Sequence, residues 1–420
     1  MAQPVGYLDL IRSNRNFRLV WTGGVVSFFG DWFNTIALYA IVERLTGSPF
    51  ALGLVFITKM LPMGLASPIA GLIADRVNRR KLMIVADISR AIIVLGFLTI
   101  ETVGDLPLLY ALAAVQIVIS AAFIPARGAS IPNITSEDEL VTANALMATT
   151  WSSILALGAA MGGFATQWLG EHAVFIIDSL SYVVSGVLLY FAVIPQKTDV
   201  VDTERSLIRQ AYEDVFEGWR YMRTYPRVGR IALAKASWAL AGGGLVFMLT
   251  LLGSAINPAA PAVAIGILFS ARGLGTGIGP ILARRWFKNE DYWPTLLGLC
   301  VSFSGLFYLV VSISPWSSIF FLALIVAIAH VSSGANWVLS NVMLQKRAVD
   351  RYRGRVFASE WLAVTGVNTI SIFAASLMLE SAEFSLRTGF QVLAGVQILC
   401  GIAWLVLIVP GERRDAVAAG

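Results

Sequence analysis

The sequence predicts an all-α membrane protein of twelve transmembrane helices arranged as two six-helix bundles. Three observations carry this. The 420 residues are 57% hydrophobic and only 14% charged, against roughly 45–50% and about 25% in soluble domains. Apolar stretches long enough to cross the hydrocarbon layer, which takes about 20 residues, follow one another from Leu19 to Pro410. The basic residues between them are sorted onto alternate connections, the asymmetry that keeps positively charged loops in the cytoplasm.

The first stretch, 19–42, follows Arg12, Arg15 and Arg18. It is too long for the apolar core of a signal peptide and lacks a clear cleavage site, so it is read as an uncleaved first helix. Breaks at charges, glycines and prolines set the next helices at 50–74, 82–102, 106–126, 141–169 and 173–194. The long polar stretch Gln196–Arg230 then divides the chain into an N-terminal bundle (1–195), a cytoplasmic linker (196–230) and a C-terminal bundle (231–420). The second half repeats the pattern with helices at 231–255, 262–283, 293–313, 316–345, 356–380 and 388–409.

Of the 31 Lys and Arg, only Arg44 and Arg387 fall on one set of connections, Lys59, Arg90, Lys235 and Arg272 fall inside spans, and the remaining 25 lie on the other set. Both ends of the chain are therefore expected in the cytoplasm, with an even number of crossings of the inner membrane. The net charge of +5 is distributed by loop rather than clustered on one face, which speaks against a nucleic-acid partner. Cys300 and Cys400 lie in apolar stretches, so neither metal-ligand spacing nor a disulfide framework is available. No cofactor is implied either. The run GLGTGIGP, Gly273–Pro280, has no strand before it and no Gly-Lys-Ser/Thr after it, and is read as a helix packing surface.

The connection after the second helix reads GLIADRVNRRK, Gly71–Lys81. It resembles the major facilitator signature G-x-x-x-D-R-x-G-R-R, with Gly71, Asp75, Arg76, Arg79 and Arg80 in place. Asn78 stands where glycine is usual, a residue that also tolerates a left-handed turn. RNFRLVWTGGVVSFFGDW near the start, PARGASIP with TANAL (Pro125–Leu146), FIIDSLSYVVSG from Phe175 and RGRVFA from Arg353 are similar to the group holding macrolide and tetracycline efflux proteins, the enterobactin exporter and the lysophospholipid transporter. The resemblance implies the major facilitator fold, working as a monomer. In it Gly71 would allow close helix approach, and Asp75 would meet the positive N-terminal end of a neighbouring helix. Asp75, Arg76 and Arg355 would form a cytoplasmic latch. Where many drug antiporters carry G-P-x-x-G-G in helix five, this chain has GAAMGG, Gly158–Gly163, with Ala159 in place of proline.

A charge at mid-bilayer costs roughly 2.5–3.5 kcal/mol, so depth ranks the ionisable candidates. At about 1.5 Å per residue, Asp31 lies about 18 Å, Lys59 about 14 Å, Arg272 about 15 Å and His330 about 21 Å from the nearest start of its helix. Asp31 is expected to be the proton-coupling carboxylate, taking a proton from one side and releasing it on the other, with Lys59 or Arg272 modulating it. A static Asp31–Lys59 pair pinning two helices is the competing reading. His330 is read first as a hydrogen-bonded packing residue. Asp87, Arg90, Asp178, Lys235 and Glu360 fall nearer helix ends, where long side chains reach the interface; Asp87 and Arg90 share a face and are expected to neutralise each other. Arg127, set at the cytoplasmic end of helix four, either attracts an anionic group or completes the positive loop pattern.

Together these readings point to a secondary transporter exporting an amphipathic organic molecule, a drug-like compound or siderophore, by alternating access with proton coupling. A lysophospholipid or other lipid flippase is the alternative. A membrane enzyme or sensor is a remote third, since no Ser-His-Asp, HExxH or Cys/His-rich arrangement is present and there are only two histidines.

Overall fold

The computed structural model describes residues 5–196, 207–381 and 383–417, nearly all of them helical. Residues 197–206 of the expected linker, and the first four and last three residues of the chain, lie outside the described residues. Contacts divide the chain into two compact units, Met1–Thr46 with Thr58–Tyr212, and Gly47–Ile57 with Glu213–Gly420.

The first unit holds α1 (Tyr7–Ser13), α2 (Arg15–Thr46), most of α3 (Pro49–Arg76), α4 (Arg79–Gly96), α5 (Leu106–Ile134) and α6 (Glu137–Phe191). Local chemistry sets their starts. Ser136 and Glu139 form a capping box at the head of α6. The Asn78 side chain accepts the Lys81 amide at 2.9 Å and caps α4. Asn78 has φ −61° and ψ 109°, so the left-handed turn expected there is absent; the side-chain oxygen, not backbone permissiveness, is what the position uses.

Among the described residues eleven helices are long and apolar enough to cross a bilayer, against twelve expected. The difference is α6, which runs for 55 residues and contains Gly170 at φ 82° and ψ 163°, a backbone region open to glycine alone. The two arms of α6 meet the same helix in opposite senses. Thr150 accepts from Trp21 at 3.0 Å, Trp151 lies edge-on to Phe28, and Gly162 abuts Phe33, so residue numbers rise together on the first arm. On the second arm Ser181 abuts Gly30 and Ser185 abuts Gly23, so one rises while the other falls. The chain therefore reverses at Gly170, and α6 supplies two antiparallel spans, one on each side of the expected break at 170–172.

The second unit holds α7 (Leu207–Thr224) from Glu213 onward, α8 (Pro226–Ile256), α9 (Pro261–Trp286), α10 (Trp293–Ile313), α11 (Ile319–Arg347), α12 (Asp350–Glu380), α13 (Leu386–Ala403) and, after a wide turn at Trp404–Ile408, α14 (Val409–Val417). Here α8 packs on α12 and α13, α9 on α11, and α10 on α11 and α13. Glycines let the closest pair meet: a Cβ built on Gly275 would lie 2.1 Å from the Ala327 carbonyl oxygen and one on Gly279 2.0 Å from that of Val331. The run Gly273–Pro280 is a packing surface, as the sequence predicts. The polar stretch after helix six is not a featureless connection: α7 fills much of it, and α8 begins at Pro226, inside the range read as linker.

Candidate functional site

Three carboxylates and three cations gather in the first unit: Asp31 on α2, Lys59 on α3, Asp87 and Arg90 on α4, Arg127 on α5 and Asp178 on α6. Arg90 is the centre. Only 1% of its surface is exposed, and its guanidinium lies over the rings of Phe123 and Tyr182 at 4.6 and 4.3 Å. It forms an ion pair with Asp87, donates to Ser120 Oγ at 3.3 Å, and stands 4.0 Å from Asp31 Oδ2. The Tyr182 hydroxyl donates to Asp31 Oδ1 and accepts from the Gln116 amide at 3.0 Å. Asp31 is thus tied to α4 and α6 while 31% of its side chain stays open. At an effective dielectric near 20, opposite charges 4 Å apart attract by about 4 kcal/mol, more than the cost of placing one charge at that depth.

Around this core the remaining charges have other partners. Lys59 Nζ donates to Thr35 Oγ1 at 2.6 Å, and the Thr35 hydroxyl donates in turn to the Asp31 backbone carbonyl at 2.6 Å. The direct Asp31–Lys59 pair considered above is replaced by this relay through Thr35, because Asp31 turns toward α4 and α6. Asp178 packs against Gly30, accepts weakly from Ser181 at 3.4 Å and keeps Oδ2 without a hydrogen bond among the described residues, as do Asp87 Oδ2 and both amide atoms of the buried Asn34. Arg127 lies across Gly24 with its guanidinium 4.4 Å from the Phe28 ring. Since α5 runs on to Ile134, Arg127 is about two turns inside the helix and not at its end; Pro125 and Pro132 are accommodated within α5 and do not stop it.

The expectation that Asp87, Arg90, Asp178, Lys235 and Glu360 reach the interface is overturned: each is at most 3% exposed. Distance along a helix is legible in a sequence, but the face a residue occupies is not. In the second unit Lys235 pairs with Glu360 at 3.0 Å and with Asn341, beneath the Trp337 ring at 4.8 Å. His330 is hydrogen-bonded on both ring nitrogens, to Tyr308 at 2.7 Å and Ser333 at 2.9 Å, which fits a packing role. Arg272 is partly buried on α9.

The signature connection is equally concrete. Arg79 holds the Ala129 carbonyl of α5 at 2.8 Å, and Arg80 holds the Leu189 carbonyl of α6 at 3.2 Å together with that of Tyr190. Arg76 donates to Gln210 at 2.6 Å. Asp75 meets Arg79 at 3.3 Å and is otherwise open, and a Cβ at Gly71 would touch nothing within 4 Å. Arg355 is clamped by Asp214 at 2.7 Å and Glu217 at 2.5 Å on α7.

A family model described as Major Facilitator Superfamily matches residues 20–375. The chain belongs to that superfamily. It is 25% identical over 345 residues, 82% of this chain and 83% of the other, to BacE of Bacillus subtilis, to which bacilysin export is ascribed. Macrolide efflux protein A of Streptococcus pyogenes is 23% identical over 399 residues, 91% and 93% of the two chains. The uncharacterized transporter YfiS of Bacillus subtilis is 28% identical, but over 183 residues, 43% of each chain. Among solved structures, the POT family transporter PepTSo superposes with a TM-score of 0.74 at 13% identity, covering 96% of this chain and 99% of that one. The all-α membrane transporter fold is therefore established, and a superfamily member of this kind is a transporter and not an enzyme.

Tyr182, Gln116, Ser120 and Thr35 complete the cluster without having been singled out in the sequence. One signal was available. Asp178, Ser181, Tyr182 and Ser185 recur at spacings of three and four, a polar stripe down one face of an otherwise apolar helix.

Proposed function

We propose that this superfamily member exports an amphipathic organic molecule by alternating access, drawing energy from protons that move inward through Asp31. The observation that carries the reading is the environment of Asp31: a half-open carboxylate held by Tyr182 and 4.0 Å from an Arg90 already paired with Asp87. With Asp31 ionised, one buried cation is shared by two anions. A proton on Asp31 leaves a neutral Asp87–Arg90 pair and releases the tie from α2 to α4, so protonation and helix attachment are linked. Each proton carries about 2.3 kcal/mol per 100 mV of membrane potential.

The halves 1–195 and 231–420, joined by 196–230, are the two rocking bundles in this reading, in a monomer of the inner membrane with both ends cytoplasmic. Asp75, Arg76 and Arg355, with Gly71, Arg79 and Arg80, form the cytoplasmic latch of the outward-facing state, and Arg127, Arg272 and Lys59 line the polar path. The relatives that cover most of the chain, BacE and macrolide efflux protein A, bear exporters' names, which favours organic cargo and outward movement.

Purified protein in proteoliposomes, loaded with a macrolide or a fluorescent amphiphile, tests this. Wild type should transport on imposition of a pH gradient, whereas Asp31→Asn should lose at least tenfold of gradient-driven transport yet keep substrate exchange without a gradient. Unchanged gradient-driven transport in the variant refutes the assignment. Translocation of a labelled lysophospholipid, equal with and without the gradient and equal in both proteins, would instead select the lipid flippase.

A further inference from the structure

We infer that the second unit carries a binding site for an anionic phospholipid, formed by the groove between α9, α10 and α11 and the cations at the end of α9. The groove is an open hollow of about 610 Å³ lined by Leu282, Trp286, Leu299, Phe303, Leu306 and Val331, among others. A second hollow of about 680 Å³ shares the lining residues Ala283 and Phe287 with it, and is lined by Arg284, Lys288 and Trp293. An apolar trough thus lies beside a hollow lined by two positive charges, the layout of an acyl chain and its phosphate.

Length and charge both select a lipid. Leu296 to Leu306, the stretch of α10 along the trough, spans about 15 Å at 1.5 Å per residue, one half of a hydrocarbon layer about 30 Å thick. The lining is outward-facing: Trp286 is 66% and Leu299 50% exposed, and the solvent on that face of a spanning helix is lipid. The neighbouring cations Lys346, Arg347 and Arg230 are neutralised by Glu290 and Glu412. No carboxylate among the described residues pairs with Arg284, Arg285 or Lys288. Basic pockets between helices at a membrane surface take anionic headgroups, and the Trp293 indole, donating to the Phe287 carbonyl at 2.9 Å, ties the turn that presents them. A second copy of the chain would not need unpaired cations at the mouth of a greasy trough.

Native mass spectrometry of the delipidated full-length protein in detergent, titrated with phosphatidylglycerol or phosphatidylcholine, measures the site without reference to orientation or transport, so its outcome is independent of the Asp31 reading. Wild type should hold one phosphatidylglycerol roughly tenfold more tightly than phosphatidylcholine. Arg284→Gln with Lys288→Gln should remove that preference, Leu299→Trp should weaken both lipids by filling the trough, and Arg15→Gln, at the head of α2 and not in the lining of either hollow, should leave both unchanged. Thermal unfolding of each variant separates lost binding from lost fold. Equal affinity of wild type for the two lipids, a preference that survives the double substitution in a folded protein, or a stable dimer without lipid overturns the site.

Discussion

Arg90 lies wholly inside the first unit, and its charge is tolerable only because Asp87 and Asp31 face it and two aromatic rings cover it. Removing one member of a buried ion pair typically costs about 3–5 kcal/mol, because the other is left charged and unsolvated, whereas removing both is often nearly neutral. Arg90→Met should therefore lower the thermal unfolding midpoint in detergent by several degrees, and Asp87→Asn added to it should restore most of the loss. Losses that simply add would show that the two residues do not act as a pair. Asp31 and the Asp87–Arg90 spacing could be picked out of the sequence because charge inside an apolar stretch is conspicuous. Tyr182 could not be weighted in the same way: a tyrosine in a spanning helix is common, and only its hydrogen bond to Asp31 reveals what it does.

At the scale of elements, two glycines that look alike in the sequence differ sharply. Gly279 lies where α9 and α11 touch, its built Cβ 2.0 Å from the Val331 carbonyl oxygen, while Gly71 near the end of α3 has open space around it. Gly279→Ala should destabilise by about 1–3 kcal/mol through overpacking. Gly71→Ala should leave stability unchanged or raise it by up to about 1 kcal/mol, the difference in helix propensity. If Gly71 is crowded only in another state of the transport cycle, Gly71→Ala should also slow transport; thermal melts and uptake rates on the same samples give both numbers. The helix positions themselves were legible because a bilayer fixes span length and composition. The α7 helix, 18 residues long and amphipathic, was hidden by the charge of its stretch, and tertiary contacts help to hold it: Asp214 and Glu217 on Arg355, Ser359 donating to the Val215 carbonyl at 2.7 Å, and Tyr221 stacked on Tyr352 at 4.6 Å. Arg355→Gln should loosen α7 selectively, seen as faster amide hydrogen exchange over 213–224 with little change in α9 and α10.

For the molecule as a whole, everything after Gly170 takes its side of the membrane from whether α6 crosses once or twice. Drawn straight, 55 residues would reach about 80 Å at 1.5 Å each, far beyond a hydrocarbon layer of about 30 Å. The opposite senses in which its two arms meet α2 require a reversal near Gly170, and the Arg44–Glu171 pair at 3.1 Å puts that reversal beside the far end of α2. With each span crossing once, parity is expected to put Arg15 and Lys288 on one face and Arg44 and Glu383 on the other, the division that the Lys and Arg bias also predicts from an unrelated cause. In a background with Cys300→Ser and Cys400→Ser, single cysteines at these four exposed positions should react with an impermeant maleimide in intact cells only at Arg44→Cys and Glu383→Cys. Labelling of Lys288→Cys together with protection of Glu383→Cys would mean that α6 crosses once, and the order of every later helix would be inverted.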